Sequence, residues 1–336
     1  MTKVTIFGAG ITGMAIASQL PRSYDITIVA RDLPGDDRSQ DWASPWANAG
    51  WVALGGSPAE ERMQLDALAF FLKLAIAYPE SSVHQTEITD LHEVGATTAE
   101  ELWYRDRIPG FQKLEPHKIL GGEKTVLAVK YSSFTLDPST FLPWMRTHLE
   151  STSVKFKRIS TVKSLGELAH LGHDVLVNAS GLASQTLSDV QDENLIMDRH
   201  YTILLKLDYK NSFVRRSGNE YTYGFGRSDG SLCLGGESDA VHDQLKSKES
   251  IRVELLRRAH LTLPEVFPST NPDDYTIVDD LAGVRPIRLP SARLEKEIIN
   301  GQKVVHAYGP PAGGYIFSFG LGREVAQLVN EYAFKV

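Results

Sequence analysis

"KVTIFGAGITGMAIASQL", residues 3–20, decides the fold. It opens with a short apolar run, passes through Gly8, Gly10 and Gly13 in Gly-x-Gly-x-x-Gly spacing, and continues with small and apolar residues at helical spacing. A second apolar run, "DITIVA" at 25–30, follows. Strand, glycine turn, helix and strand form a βαβ unit, whose parallel strands need covering on both faces. Gly8 permits the tight turn, Gly10 lets backbone close on a pyrophosphate, and Gly13 lets helix and strand touch. The amides of Ile11 and Thr12, at the positive end of the helix, face the phosphates. At the end of the second strand, "VARDLPGDD" offers Asp32 for the ribose hydroxyls, with Arg31 along the adenosine; the competing reading is two exposed loop charges. The motif leaves NAD and FAD both open.

The chain around this unit has 336 residues, more than one domain usually holds, so two domains sharing an interface are expected. Apolar residues make up 42% and charged residues 23%, as in ordinary soluble proteins. A net charge of −7 argues against nucleic acid or anionic membranes as partners. The sole cysteine, Cys233, has no partner for an internal disulfide, and no Cys/His cluster suggests a metal. A reducing, intracellular location follows, cytoplasmic or peroxisomal. The most lipid-like stretch, "LDALAFFLKLAIAY" from Leu65, is too short to span a bilayer and carries Asp66 and Lys73. No signal peptide is expected, and the final "AFKV" carries no Ser-Lys-Leu address. Oligomeric state is left open, with a homodimer among the assemblies allowed.

No internal repeat or low-complexity tract appears, so boundaries rest on shifts of pattern. "DVLVNASG", 174–181, reads as another parallel strand ending in small residues, suited to close approach of backbone to a ligand. From Tyr201 to Glu237, strand-like runs broken by turn residues suggest an antiparallel sheet. The last segment returns to strand, glycine-rich turn and long helix. The expected architecture is therefore α/β: a Rossmann-like nucleotide-binding domain from residues 1–55, 137–194 and 282–336, and a substrate domain with a mainly antiparallel sheet from 56–136 and 195–281.

"LAGVRPIRLP", 281–290, sets two arginines among apolar residues. Arginine keeps its proton inside proteins, so Arg285 and Arg288 need anions if buried. Asp279 and Asp280, just upstream, would serve in a structural ion pair. The alternative is a planar fork held ready for a ligand carboxylate.

Four stretches, in order, resemble the D-amino-acid oxidase family of FAD enzymes, which includes the D-aspartate oxidases: "VTIFGAGITG", "ARDLPGDDRSQDWASPWANAGW", "GVRPIR" and "HAYGPPAGGYIFSFG". "ASPWANAGW" is similar to the fungal and yeast branch. The resemblance implies non-covalent FAD lying extended in the α/β domain. The piece from Arg38 to Trp51 would wrap the pyrophosphate and one edge of the flavin, with Ala43, Ser44, Asn48, Ala49 and Gly50 in contact. The order "ANAG" departs from the more usual "AGAN", so backbone contacts carry over better than a role for the Asn48 side chain. Val162 matches a backbone contact to adenine, and Ser180 and Gly181 lie where another strand passes the cofactor. Gly313, Gly314, Tyr315 and Ile316 would turn amides toward the flavin's pyrimidine edge, where a helix N-terminus stabilises negative charge.

The family's substrate carboxylate is held by the arginine matching Arg285, supported by Pro286; Arg288 then reads as structural or solvated. A tyrosine completes the clamp, Tyr221 by position with Tyr223 as the alternative, and Gly314 borders the same substrate. The two tyrosines share a face of any strand that holds them. The implied reaction is dehydrogenation of a D-amino acid: hydride passes from Cα to flavin N5, the imino acid hydrolyses to a 2-oxo acid and ammonia, and O2 is reduced to hydrogen peroxide. No side-chain base is required if the amine arrives neutral, in keeping with the absence of an obvious catalytic histidine or glutamate near these motifs. Arg215 and Arg216 resemble the place where D-aspartate oxidases carry a basic residue for a distal carboxylate. Ser238, where those enzymes have another arginine, and Phe317 favour neutral substrates instead. Acidic D-amino acids are the alternative; a glycine-oxidase-like amine oxidase is a further one. From a different class, an NAD-binding dehydrogenase or a catalytically silent nucleotide-binding protein remains a rival.

Overall fold

The computed structural model describes residues 1–37, 39, 41–115, 125–240, 246–311 and 313–334; Arg38 of the expected flavin-wrapping piece, Ala312 of "GPPAGGY" and the terminal Lys335 and Val336 lie outside these. The opening stretch forms strand β1 (Lys3–Phe7), helix α1 (Ile11–Gln19) and strand β2 (Asp25–Ala30). β1 pairs in parallel with β2 on one side and with β7 (Val175–Asn178) on the other. β6 (Lys155–Arg158) extends the sheet in parallel beyond β2, and β14 (Gln302–Tyr308) beyond β7. Antiparallel β13 (Arg293–Ile299) closes the far edge, giving the order β13-β14-β7-β1-β2-β6. The chain winds outward from β1 in both directions. The carboxyl ends of β1 and β7 therefore flank the crevice where open α/β sheets take their ligands.

Helix α1 is buried at Ile11 and from Gly13 to Ala17, because α5 (Gly314–Ala333) packs over it. Helices α2 (Pro58–Ala77) and α3 (Pro138–Ser151) complete this layer. The start of α2 is fixed by a capping box: Ser57 accepts from the Glu60 amide, and the Glu60 carboxylate accepts from the Ser57 amide. The lipid-like stretch falls in α2, whose Phe71 stacks on Phe134 at 4.0 Å and whose Phe70 stacks on Phe319 at 3.6 Å. Its apolarity thus serves packing between layers. Among the described residues, no helix is long and apolar enough to cross a membrane.

The second sheet contains β3 (His84–His92), β4 (Gln112–Lys113), β5 (Leu127–Thr135), β8 (Leu195–Lys206), β9 (Ser212–Arg216), β10 (Thr222–Gly226), β11 (Ser231–Ala240) and β12 (Ile277–Arg288). The order is β12-β8-β11-β10-β9-β3-β5-β4, antiparallel except where β3 meets β9. One face is covered by α4 (Lys248–Thr262), whose Leu255, Leu256 and Ala259 pack with Ile203, Leu205, Phe213, Leu232 and Leu234. β12 pairs with β8 without interruption from Asp279 to Arg288, so residues 282–288 sit in this second sheet and the first-sheet elements resume at β13.

Register fixes what the other face carries. Arg285 lies opposite Asp198, and Gly283 opposite His200. Tyr223 lies opposite both Gly235 and Val214, and Asp90 opposite Val214. Side chains alternate along a strand, so Asp90, Arg216, Tyr221, Tyr223, His200, Asp198 and Arg285 all project from the face turned away from α4.

Candidate active site

Three sequence-distant segments meet at the start of α1. The Ile11 amide donates to Ser44 Oγ at 3.0 Å, and the Tyr315 hydroxyl donates to the Ser44 carbonyl at 3.1 Å. Ser44 thus ties the loop 43–50 to the first turns of both α1 and α5. The next amides of α1, those of Thr12 and Gly13, have no acceptor among the described residues, and helix N-termini of this kind are anion sites. Gly8 adopts φ of +122°, and a Cβ there would lie 2.3 Å from the Ala179 carbonyl oxygen. At Gly13 a Cβ would lie 2.0 Å from the Gly8 carbonyl oxygen. Only glycine lets turn, helix and neighbouring strand approach so closely. A Cβ on Gly10 would reach Ser44 Oγ at 2.9 Å, so the cradle is lined by backbone.

The remaining expected cofactor residues surround this point. Gly313, with φ of +108°, turns the chain into α5, and Gly314 faces Ile11. Ile316 and Tyr315 are buried in the first turn of α5. Ala43 precedes Ser44, while Ala49 and Gly50 attach to the end of β5: the Leu136 amide donates to the Ala49 carbonyl at 3.0 Å and Gly50 bridges Thr135. Ser180 and Gly181 follow β7 beside Gly8. Arg31 and Asp32 follow β2 and pair with each other at 2.6 Å, Arg31 also reaching Asp41 at 3.0 Å. Val162 packs on the cluster that holds Phe7 and Val29. The open amides and backbone-lined cradle fit a dinucleotide diphosphate.

The loop 43–50 also lies against the seven-residue face described above. Gly50 packs on the Phe225 ring and Gly283 on Trp46, where added methyl groups would clash at 2.8 and 2.5 Å. Asn48 carries a side-chain role that the sequence did not reveal. Its Oδ1 accepts from the Cys233 thiol at 2.6 Å, and its amide Nδ2 donates to the Tyr223 hydroxyl. The Tyr223 hydroxyl also shares a hydrogen bond of 2.6 Å with His200 Nε2. Burial, with the Arg285 charge nearby, lowers the His200 pKa to about 3, and burial raises that of Tyr223 well above the usual phenol value. Tyr221 stands 5.9 Å from Tyr223, ring to ring, and its hydroxyl has no hydrogen-bond partner among the described residues.

Each arginine here meets a protein carboxylate. Arg285 Nε bonds Asp198, while its terminal nitrogens have no partner among the described residues. Asp280 instead pairs with Arg252 of α4 at 2.7 Å, because it lies on the opposite face of β12 from Arg285. Arg288 pairs with Asp192 at 2.8 Å, a structural bond away from the cleft face. Arg216 grips Asp90 with bonds of 2.7 and 2.9 Å and also donates to the Ala53 carbonyl. Asp90 is fully buried and accepts further bonds from Tyr104 and Tyr131. Arg215 points to the other face of β9, where it forms a two-pronged pair with Glu93 at 2.9 and 3.1 Å.

The sequence reading therefore brought Arg285, Tyr221, Tyr223 and Arg216 to one face, but not Arg215. It missed His200, Asp198 and Asp90. A histidine does stand beside the tyrosines, held neutral in its resting state. Its only sequence signal is alternation: Asp198, His200 and Thr202 are the even positions of a strand whose register was not deducible beforehand.

Comparison with known proteins bears on the family and the fold. The family described as FAD dependent oxidoreductase (DAO) matches residues 3–328. A D-amino-acid oxidase of Fusarium vanettenii is 25% identical over 354 aligned positions, covering 98% of this chain and 96% of the relative. A D-aspartate oxidase of Talaromyces thermophilus is 25% identical, covering 97% and 95%. Among solved structures, glycine oxidase from Geobacillus kaustophilus superposes with a TM-score of 0.75 over 98% of this chain and 95% of that one, a likeness of fold at 17% identity. The expected cofactor and fold class hold, and the chain belongs to the FAD dependent oxidoreductase family.

Proposed function

We propose that the chain is a D-amino-acid oxidase with preference for neutral substrates. One observation carries this reading: the free edge of Arg285 and the free hydroxyl of Tyr221 share a face with the loop 43–50, which Ser44 ties to the starts of α1 and α5. Arg285 holds the substrate carboxylate through its two terminal nitrogens, and Tyr221 donates to the same group. Tyr223 is committed to His200 and Asn48 and holds the loop against the sheet. Bound FAD supplies the two-electron acceptor for the hydride leaving Cα and passes the electrons to O2, giving hydrogen peroxide. The protein's share is placement, since the imine forms from a neutral amine without a side-chain base. His200 suits that assignment, because a group neutral down to about pH 3 and hydrogen-bonded to Tyr223 is not poised to take a proton.

Acidic D-amino acids are the second reading, favoured by Arg216 on the site face and by the similarity to a D-aspartate oxidase. Asp90 already occupies Arg216 with two bonds, and Arg215 is turned away, so a distal carboxylate would have to displace a buried resident one. The test is peroxide release from D-alanine, D-methionine and D-aspartate with their L-enantiomers as controls. Activity greatest on the neutral D-amino acids is expected; no turnover of any D-amino acid by flavin-loaded protein sinks the proposal.

A further inference from the structure

Strand β8 places an anion on the arginine proposed to hold substrate. Asp198 lies opposite Arg285 in the β8–β12 ladder and bonds its Nε; the side chains are 18% and 34% exposed, respectively. Taking Nε leaves the two terminal nitrogens as the edge open to a ligand carboxylate. A carboxylate bound there sits one guanidinium width, roughly 5–6 Å, from the Asp198 carboxylate, close enough for strong interaction in a partly desolvated cleft. The other charges on this face do not offset it, because Arg216 and Asp90 neutralise each other and His200 is uncharged.

The repulsion acts on a ligand's net charge. A monoanion feels it in full, a zwitterion only through the difference between its two ends, and a cation gains from it. We propose that Asp198 is a charge filter at the Arg285 anchor, a specificity-determining residue that favours zwitterionic and cationic amino acids over plain carboxylates, 2-oxo acids and acidic amino acids. This rests on Arg285 being the carboxylate anchor.

The test uses FAD-loaded protein and propanoate, a carboxylate without the amine. Its dissociation constant is read from the change in flavin absorbance, and its inhibition constant against D-alanine oxidation. Asp198→Asn is expected to tighten propanoate about tenfold, with exposure keeping the gain well below the full Coulombic value. The KM for D-alanine should move much less. Asp198→Ser gives the same readout should the asparagine variant fail to fold or hold flavin. Unchanged propanoate affinity in the flavin-loaded variants overturns the filter. Equal weakening of propanoate and D-alanine also overturns it, since Asp198 would then only orient the guanidinium. Arg285→Ala separates the two levels: if it leaves propanoate affinity intact, the anchor itself is misassigned whatever Asp198 does.

Discussion

Arg216 and Asp90 grip one another across the parallel pair β9 and β3, guanidinium to carboxylate, with the carboxylate fully buried. Burial pushes the Asp90 carboxyl up, but the Arg216 charge and hydrogen bonds outweigh it and hold the pKa below the usual range. Burial likewise pulls Arg216 down, and Asp90 more than restores it. Removing one partner strands the other in a desolvated site, a loss of about 3–5 kcal/mol. Asp90→Asn is therefore expected to lower the melting temperature sharply and, in the protein that remains folded, to raise kcat/KM for D-glutamate relative to D-alanine. Thermal denaturation and the substrate ratio check the two parts.

Arg285→Ala removes a charge-assisted pair from the substrate complex. Such bonds contribute about 1.5–3 kcal/mol, so KM for D-alanine is expected to rise roughly tenfold to hundredfold while bound FAD is retained. Steady-state kinetics together with the flavin-to-protein absorbance ratio read this. An unchanged KM would remove Arg285 from the substrate site.

The two tyrosines should separate by phenotype. Tyr221→Phe removes a hydroxyl without a protein partner, so it should lower kcat/KM with little change in stability. Tyr223→Phe leaves Asn48 and His200 without their shared partner, a loss of about 1–3 kcal/mol, and should act mainly on the melting temperature. The reverse pattern would make Tyr223 the substrate ligand.

Methyl groups probe the cradle. Gly8→Ala drives a Cβ to 2.3 Å from the Ala179 carbonyl oxygen at a φ that side chains rarely adopt, and should yield protein depleted of flavin or unfolded. Gly314→Ala has ordinary space, with its nearest neighbour, Ile11, at 3.6 Å, and should fold. Flavin content measured on both proteins decides, since the bottleneck is assigned to the first site.

Acid should weaken the fold over a defined window. His200 has a folded pKa of about 3 against an unfolded value near 6.5, so between these the unfolded chain binds a proton that the folded chain refuses. Stability is whole above about pH 6.5 and falls as pH drops through that window. Burial lowers His92 as well, adding in the same direction. Asp90, with its lowered pKa, gives up its contribution only further down, as pH falls through its folded value. Melting temperatures from pH 8 to 4 should show a plateau and then a decline, and His200→Gln should shrink the decline.

The first thirty residues were legible because their pattern is local: a short apolar run, three spaced glycines, small and apolar residues at helical spacing, then a second apolar run. The discontinuous α/β sheet and the antiparallel sheet around Tyr201–Glu237 followed from the same kinds of pattern. What stayed hidden depends on pairing between distant strands. Asp198 meets Arg285 only through the β8–β12 register, and Asp90 meets Arg216 only because β3 runs parallel to β9. The single-residue alternation that sends Arg215 and Arg216 to opposite faces was accessible, but which face would be the site was not. The Asn48 side chain was likewise unreadable, since its partners Cys233 and Tyr223 lie on two different strands.

Ser44 joins residue 11 to residue 315, so one residue holds together two segments far apart in sequence. The βαβ unit supplies one wall of the cradle, and the turn into α5 supplies the wall opposite it. A chain halted before Gly313 would possess the phosphate-facing helix without the turn that closes over it. Neither wall completes the cradle alone, and the contact between them runs through a residue that belongs to neither helix.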